Sequence, residues 1–422
     1  MSASTPGKWY FGWNIVAAAT LITLLTVGMR MGIGPFFIPM AEDLQMSRSM
    51  LAGIIAIGML CYGLGMPVAG HLVGTHGTRF VLLLGTVIVV ASIIWTVNAR
   101  HPFTFFLAFG VLMSLGFSFT SPVALTPVIS RWFTRRRGMA LFFLSTGSMA
   151  GIAILTPALT WFIESVGWQN TLLGFSVLFV ALIVPITFLI IRDEAPANTD
   201  LGPEDDKKPD GKTAKTAAPA GDGYELTWRE AIRTRPFWQV AIGLFACGYS
   251  MNLLGTHGVP MLVDHGFDPI TASYGIGLIG LVAIPSTLIL GRLSDVLQRK
   301  NLLAMIYLIR GLGFFGLLLA ATVWELYLVA AIGGVVWAGS IALSSAILAD
   351  VYGIRIVGIL YGWTYLGHQV GAMISSWLGG WGYEAFDTHW VAFGGSGLIL
   401  IAAAVVCFQL PKRGFVQARA AG

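Results

Sequence analysis

The chain has 422 residues, 56% apolar and only 11% charged, with a net charge of +5 and a mean hydropathy of +0.78. A soluble domain carries roughly a quarter charged residues, so this composition excludes a soluble globular protein and places most of the surface in lipid. The positive charge is then a matter of membrane topology, with no nucleic-acid partner implied.

About 20 apolar residues cross the hydrocarbon as a helix. Twelve such stretches are predicted, near 11–38, 49–72, 79–99, 102–130, 138–164, 169–191, 237–262, 270–292, 301–322, 324–349, 356–382 and 388–410. They are too long and too uniformly apolar for the short alternating strands of a membrane β-barrel. No cleavable leader is read near Met1, and the first run is expected to stay as an uncleaved span. Lys and Arg gather on one face when both termini are cytoplasmic, leaving the outer loops only Arg48 and Arg100.

The first span opens on Trp9-Tyr-Phe-Gly-Trp13 and continues through Gly28-Met-Arg-Met-Gly-Ile-Gly-Pro35. A polar hairpin follows the second span, Gly70-His-Leu-Val-Gly-Thr-His-Gly-Thr-Arg79. The fourth span carries Gly116-Phe-Ser-Phe-Thr-Ser-Pro122 and runs into Arg131-Trp-Phe-Thr-Arg-Arg-Arg-Gly138, a basic cluster suited to anionic headgroups. Small residues at helical spacing in Ser145–Gly151 mark a close helix contact.

From Asp193 to about Tyr224 the composition turns to Pro, Gly, Ala, Thr, Asp and Lys, as in a flexible linker. Leu226–Arg233 reads as a short amphipathic helix on the membrane surface. The expected division is an N-terminal six-helix bundle over 1–192, a linker with that helix over 193–235, and a C-terminal bundle over 236–422.

A second hairpin, Gly291-Arg-Leu-Ser-Asp-Val-Leu-Gln-Arg-Lys300, repeats the first at an offset of 221 residues. The same offset lays Pro39-Met40 on Pro260-Met261, which points to a duplicated helical half. Duplicated halves around a midplane site are the architecture of secondary transporters.

An ionisable side chain within a span costs at least ~2.5 kcal/mol on insertion scales, so it should face a cavity or a partner. Arg30 reads either as an anion ligand or gate, or as a salt bridge to Asp264 or Glu42. Arg310, near the midplane of the ninth span, reads as a bond to neighbouring carbonyls or as a substrate contact. His368, with Gln369 beside it, is either a neutral histidine on a backbone carbonyl or a proton-carrying ligand. His257 and Asp264 are candidates for proton coupling or gating near the outer mouth, with His257 read also as a substrate contact or as simple packing. Asn252 and Tyr249 are candidate polar contacts, and Phe119 and Tyr365 candidate aromatic walls.

Cys61, Cys247 and Cys407 match neither a disulfide framework nor a metal site. No nucleophile–base pair, zinc spacing or P-loop occurs, so neither an enzyme nor an ATP-driven pump is expected, and no metal or cofactor.

With these residues in view, the chain resembles the major facilitator superfamily along nearly its whole length. Arg79, Arg137, Arg292 and Asp295 fall on that superfamily's hairpin and basic motifs, which implies a conformational hinge or gate; Gly74 stands where the first hairpin's acid would be. Phe11-Gly-Trp13 and Arg131–Gly138 resemble the monocarboxylate porter and oxalate/formate antiporter branch. That branch often carries a substrate-binding arginine four residues before the second hairpin's glycine, and Thr287 holds the position here. The resemblance implies an all-α membrane protein of twelve transmembrane helices in two pseudo-symmetric bundles, working as a monomer in a bacterial inner membrane. The expected function is proton-coupled uptake of a small organic anion. Proton-driven efflux of an amphipathic compound is the alternative, and a receptor or sensor the alternative of another class.

Overall fold

The computed structural model describes residues 10–133, 136–195 and 227–411, apart from the side chains of Arg137, Asp295, Ile354 and Arg355. The expectations for the Arg137 and Asp295 side chains, and for most of the linker, lie outside the described residues.

Every regular element among the described residues is helical. The first half contains α1 (Gly12–Met31), α2 (Gly34–Asp43), α3 (Arg48–Asn98) and α4 (Pro102–Phe105). A π-helical turn (Phe106–Leu112) then leads to α5 (Met113–Phe119), α6 (Pro122–Trp132), α7 (Arg137–Val166) and α8 (Trp168–Leu189). The short α9 (Trp228–Ile232) starts with a capping box between Thr227 and Glu230. The second half contains α10 (Arg235–Asp264), α11 (Pro269–Val296), α12 (Arg299–Leu319), α13 (Val323–Val335), α14 (Gly339–Tyr352), α15 (Ile354–Phe386) and α16 (Gly395–Phe408).

Ten stretches among the described residues are long and apolar enough to cross a bilayer. The longest, α3, has 51 residues and is broken by Gly77 at φ 83°, ψ 164°. At 1.5 Å per residue it would exceed twice the ~30 Å hydrocarbon thickness if straight, so its two arms are separate spans. α15 has 33 residues but falls outside the ten, because Gly, His, Gln and Ser dilute its apolar character.

Gly77, Gly167 and Gly353 share one backbone geometry, with φ of 82–84° and ψ of 163–166°. Each turns one helix into the next within a single residue. Side chains with a Cβ are strained at such φ values.

The packing separates into two main clusters. One draws on residues between Ile15 and Ile191 and admits Ala372; the other runs from Ala231 to Leu410 and admits Met31, Met149 and Ile152. The sequence repeat has a physical counterpart. Arg79 donates from Nε to Ile191 O (2.6 Å) and from Nη2 to Phe188 O (3.5 Å) at the end of α8. Its repeat mate Lys300 donates to Phe408 O (3.1 Å) and Leu410 O (2.7 Å) at the end of α16. In both halves a hairpin cation satisfies carbonyls that a helix end leaves without partners.

The acid missing at Gly74 is supplied from elsewhere. Asp193 accepts from Thr78 N at 3.0 and 3.2 Å, and lies 3.5 Å from Arg131. In the second hairpin, Arg299 grips Asp350 with bonds of 2.7 and 2.8 Å.

The halves meet closely. A Cβ on Gly280 would meet Met149 O at 2.6 Å, and one on Gly380 would meet Arg48 O at 2.5 Å. Hydrogen bonds from Arg48 and Ser49 to Asp264 and Glu384 join the halves at the end away from the basic motifs. Within the second half α10 and α15 cross in near contact: a Cβ on Gly248 would lie 1.9 Å from His368 O. Gly248→Ala is expected to force the helices apart and cost on the order of 3 kcal/mol, measurable as a lower melting temperature and reduced yield of the purified protein.

Candidate functional site

Helix breaks shape the centre. α1 gives way to α2 at Gly32–Ile33, α5 to α6 at Thr120–Ser121, and α13 to α14 at Val336–Ala338. Irregular backbone at this depth is tolerated only where protein or a cavity satisfies it. At the first break, Gly34 sits against Gly255 O of α10, across the interface between the halves.

Arg30, near the end of α1, lines a cavity of about 40 Å³ with Met59, Tyr62, Met113 and Ser114. Its guanidinium carbon lies 4.3 Å from the Tyr62 ring centroid, and Nη1 points at Met59 Sδ 3.0 Å away. Nε is buried without a hydrogen-bond partner in the protein. The salt bridge to Asp264 or Glu42 weighed from the sequence is not formed: no carboxylate among the described residues pairs with Arg30.

α15 presents Tyr365, His368 and Gln369 from the other half. The rings of Tyr365 and His368 stack at 4.9 Å and 5°, and Tyr365 is within electrostatic reach of Tyr62, Arg30 and Cys247. Gln369 packs against Gly63, beside Tyr62, and so bridges the halves. His368 and Gln369 are each 2% exposed; both polar atoms of Gln369 lack a partner in the protein, and the His368 imidazole has the buried Cys247 thiol beside it. Asn252 donates to Gly248 O at 2.9 Å while its Oδ1 is unpartnered. Arg30, Tyr62, Tyr365, His368 and Gln369 thus form one polar patch shared by both bundles.

Other sequence candidates are placed elsewhere. Arg310 is 2% exposed and spends its guanidinium on the break in the tenth span: it donates to Val336 O (2.8 Å), Trp337 O and Ser340 Oγ (3.4 Å). It is a backbone clamp, because helix ends leave carbonyls that need donors. Tyr249 turns toward the last span, its hydroxyl 3.5 Å from Ala392 O. Phe119 is enclosed in a small apolar cluster with Ala69, Val73, Val81 and Ala124. Both therefore serve packing rather than the central patch. Arg79 bonds within its own half, as described above, and Arg292 is exposed at the basic end.

His257 donates from Nε2 to Ser376 O at 2.7 Å and meets the Phe37 ring edge-on at 4.8 Å, so it plugs the closed end. Asp264 lies above it and holds Arg48 with bonds of 2.5 and 2.9 Å. His389 Nε2 reaches the same carboxylate at 2.9 Å. Arg48 also covers the Tyr383 ring at 4.2 Å, while Ser49 N donates to Glu384 at 2.8 Å. This latch joins α3 to α10, α15 and the start of the last span. Arg48 and His389 were missed in the sequence, since nothing local marks a partner 216 positions away.

Replacing Arg48 by Gln should loosen this end. A surface-exposed pair of this type is worth at most about 1 kcal/mol and a partly buried one somewhat more, so a thiol at Phe37, now 1% exposed, is expected to react about tenfold faster with an impermeant maleimide.

The model of the Major Facilitator Superfamily matches residues 19–323 and again 260–420. The chain belongs to that superfamily. Its relatives include an uncharacterized MFS-type transporter, YcxA, of Bacillus subtilis, 25% identical over 380 residues, covering 88% of this chain and 86% of that one. Monocarboxylate transporter 11 of Homo sapiens is 27% identical over 376 residues, covering 87% and 73%. A solved bacterial homologue of the human lysosomal transporter Spinster, in an inward-facing and occupied conformation, superposes with a TM-score of 0.70 at 14% identity, covering 96% and 97%. At that identity it shows the shared fold alone. This superfamily member is accordingly a multi-pass membrane transporter, and its relatives are transporters rather than enzymes.

Proposed function

We propose that this transporter takes up a small, monocarboxylate-like organic anion together with a proton, by alternating access between bundles 1–192 and 236–422 tethered through 193–235. The observation that carries the reading is Arg30: a guanidinium lining a cavity of the first half, facing aromatic and thioether groups, with no acid among the described residues to neutralise it. Its counter-charge is then supplied by the ligand, since an unpaired charge in a poorly hydrated site is costly. The unpartnered amide of Gln369 and the imidazole of His368 complete a set of donors for a carboxylate. Relatives that are monocarboxylate transporters by name favour the same substrate class.

With the basic end cytoplasmic by the positive-inside rule, the latch around Asp264 closes the outer mouth. Both termini are then cytoplasmic, in a bacterial inner membrane, with the monomer as the working unit. His257, Asp264 and His368 are proposed as proton-coupling or gating groups along the path. Efflux of an amphipathic compound is the second reading, favoured by the methionines and aromatic rings around Arg30.

A thermal-shift panel of organic acids on the purified protein, followed by uptake into proteoliposomes with and without an inward proton gradient, tests the proposal. Ligands that bind only the folded state raise its apparent stability. Stabilisation by small carboxylates with gradient-driven accumulation supports it; stabilisation by lipophilic cations alone, with no anion uptake, refutes it.

A further inference from the structure

The latch at the closed end contains one carboxylate and two candidate counter-ions. Arg48 belongs to the first half and grips Asp264 through both oxygens. His389 belongs to the second half, as Asp264 does, and touches one of those oxygens. His389 is 4% exposed and its Nδ1 has no partner in the protein. Tyr383 of α15 stacks on it at 4.4 Å, His265 from the end of α10 lies at 5.8 Å, and Phe393 meets it edge-on at 6.0 Å. The remaining charges around the cluster are Glu384 and Asp387 at the end of α15, and Glu42 of α2 near Arg48.

Charge counting separates the two conformations. With Arg48 in place, Asp264 is already neutralised, and a proton on His389 would add a second positive charge beside a guanidinium. When the halves part at this end, Arg48 leaves with α3, while Asp264 and His389 stay together. The bond from Ser49 N to Glu384 also joins the halves, and the same movement would break it. His389 is then the cation nearest an unpaired carboxylate.

We propose that His389 is a proton-binding site coupled to the outer gate, in which Arg48 and protonated His389 alternate as the counter-ion of Asp264. Opening takes one proton from the external medium onto His389, and the return of Arg48 expels it. Because the open form binds the extra proton, lower external pH favours opening, and by linkage opening favours protonation. The proposal rests on the alternating-access reading but requires no particular substrate.

The test is a distance measurement between spin labels on exposed outer positions of the two halves, Glu164→Cys and Ala385→Cys, in reconstituted protein with the native cysteines replaced. Between pH 8 and pH 5.5 the ratio of parted to closed forms is expected to rise by up to about tenfold per pH unit, the limit for one linked proton. His389→Gln should flatten that dependence. Retention of the wild-type pH profile in His389→Gln overturns the inference, whereas failure of the wild type to part at any pH overturns alternating access itself. Should His389→Gln fail to fold, Arg48→Gln, at a side chain 26% exposed, carries the test. Its parted form should be more populated at every pH and the pH dependence should flatten, because no guanidinium then displaces the proton from His389; a wild-type pH slope in Arg48→Gln refutes the coupling.

Discussion

Arg30→Gln is expected to abolish accumulation of the organic anion while leaving insertion and melting temperature near those of the unaltered protein. Charge-assisted hydrogen bonds contribute roughly 1.5–3 kcal/mol each, and a loss of 3 kcal/mol lowers affinity on the order of a hundredfold. Stability should be spared because Arg30 makes no bond to a carboxylate or to backbone: its neighbours are a π face and a thioether. Arg30→Lys should recover part of the affinity, since lysine keeps the charge but not the planar fork. Isothermal titration with the best acid from the thermal-shift panel measures both. Unchanged affinity in Arg30→Gln would remove this residue from the binding site.

Arg310 is expected to behave in the opposite way. Arg310→Leu deletes the donors to Val336 O and Trp337 O in the gap between α13 and α14. Leaving buried acceptors unsatisfied costs about 1–3 kcal/mol apiece, so a loss on the order of 3 kcal/mol is anticipated. The readouts are thermal denaturation in detergent and substrate affinity per folded molecule. A marked drop in melting temperature with affinity retained confirms the clamp; a stable protein that no longer binds would return Arg310 to the substrate site. The two arginines are alike in sequence context, each a lone cation in an apolar helix, and these measurements separate them by what their guanidiniums touch.

Much of the architecture was legible before any coordinates. Hydropathy located the spans, because lipid imposes the same demand on every one of them, and the 221-residue offset anticipated the matching roles of Arg79 and Lys300. Helix phase was not legible. Spans that are apolar on all sides carry little signal for which face meets lipid and which meets another helix. Tyr249 and Phe119 were therefore assigned to the centre although one turns to the last span and the other to a local cluster. His368 and Gln369 stand out in the sequence because polar residues are scarce there. The Arg48–Asp264–His389 latch stayed hidden because it is assembled from three segments, each ordinary by itself. Asp193 likewise restores the first hairpin's acid from a position no linear motif would search.

The one-residue corners at Gly77, Gly167 and Gly353 have a consequence for how this gene can change. An α-helix advances about 100° per residue, and a corner without slack passes any added residue directly into the following helix. One inserted codon there would swing that helix's inward stripe roughly a quarter-turn toward the acyl chains. Length variation should thus be purged at these three joints and drift freely in roomier connections, so that each joined pair is inherited as a single fixed-length cassette.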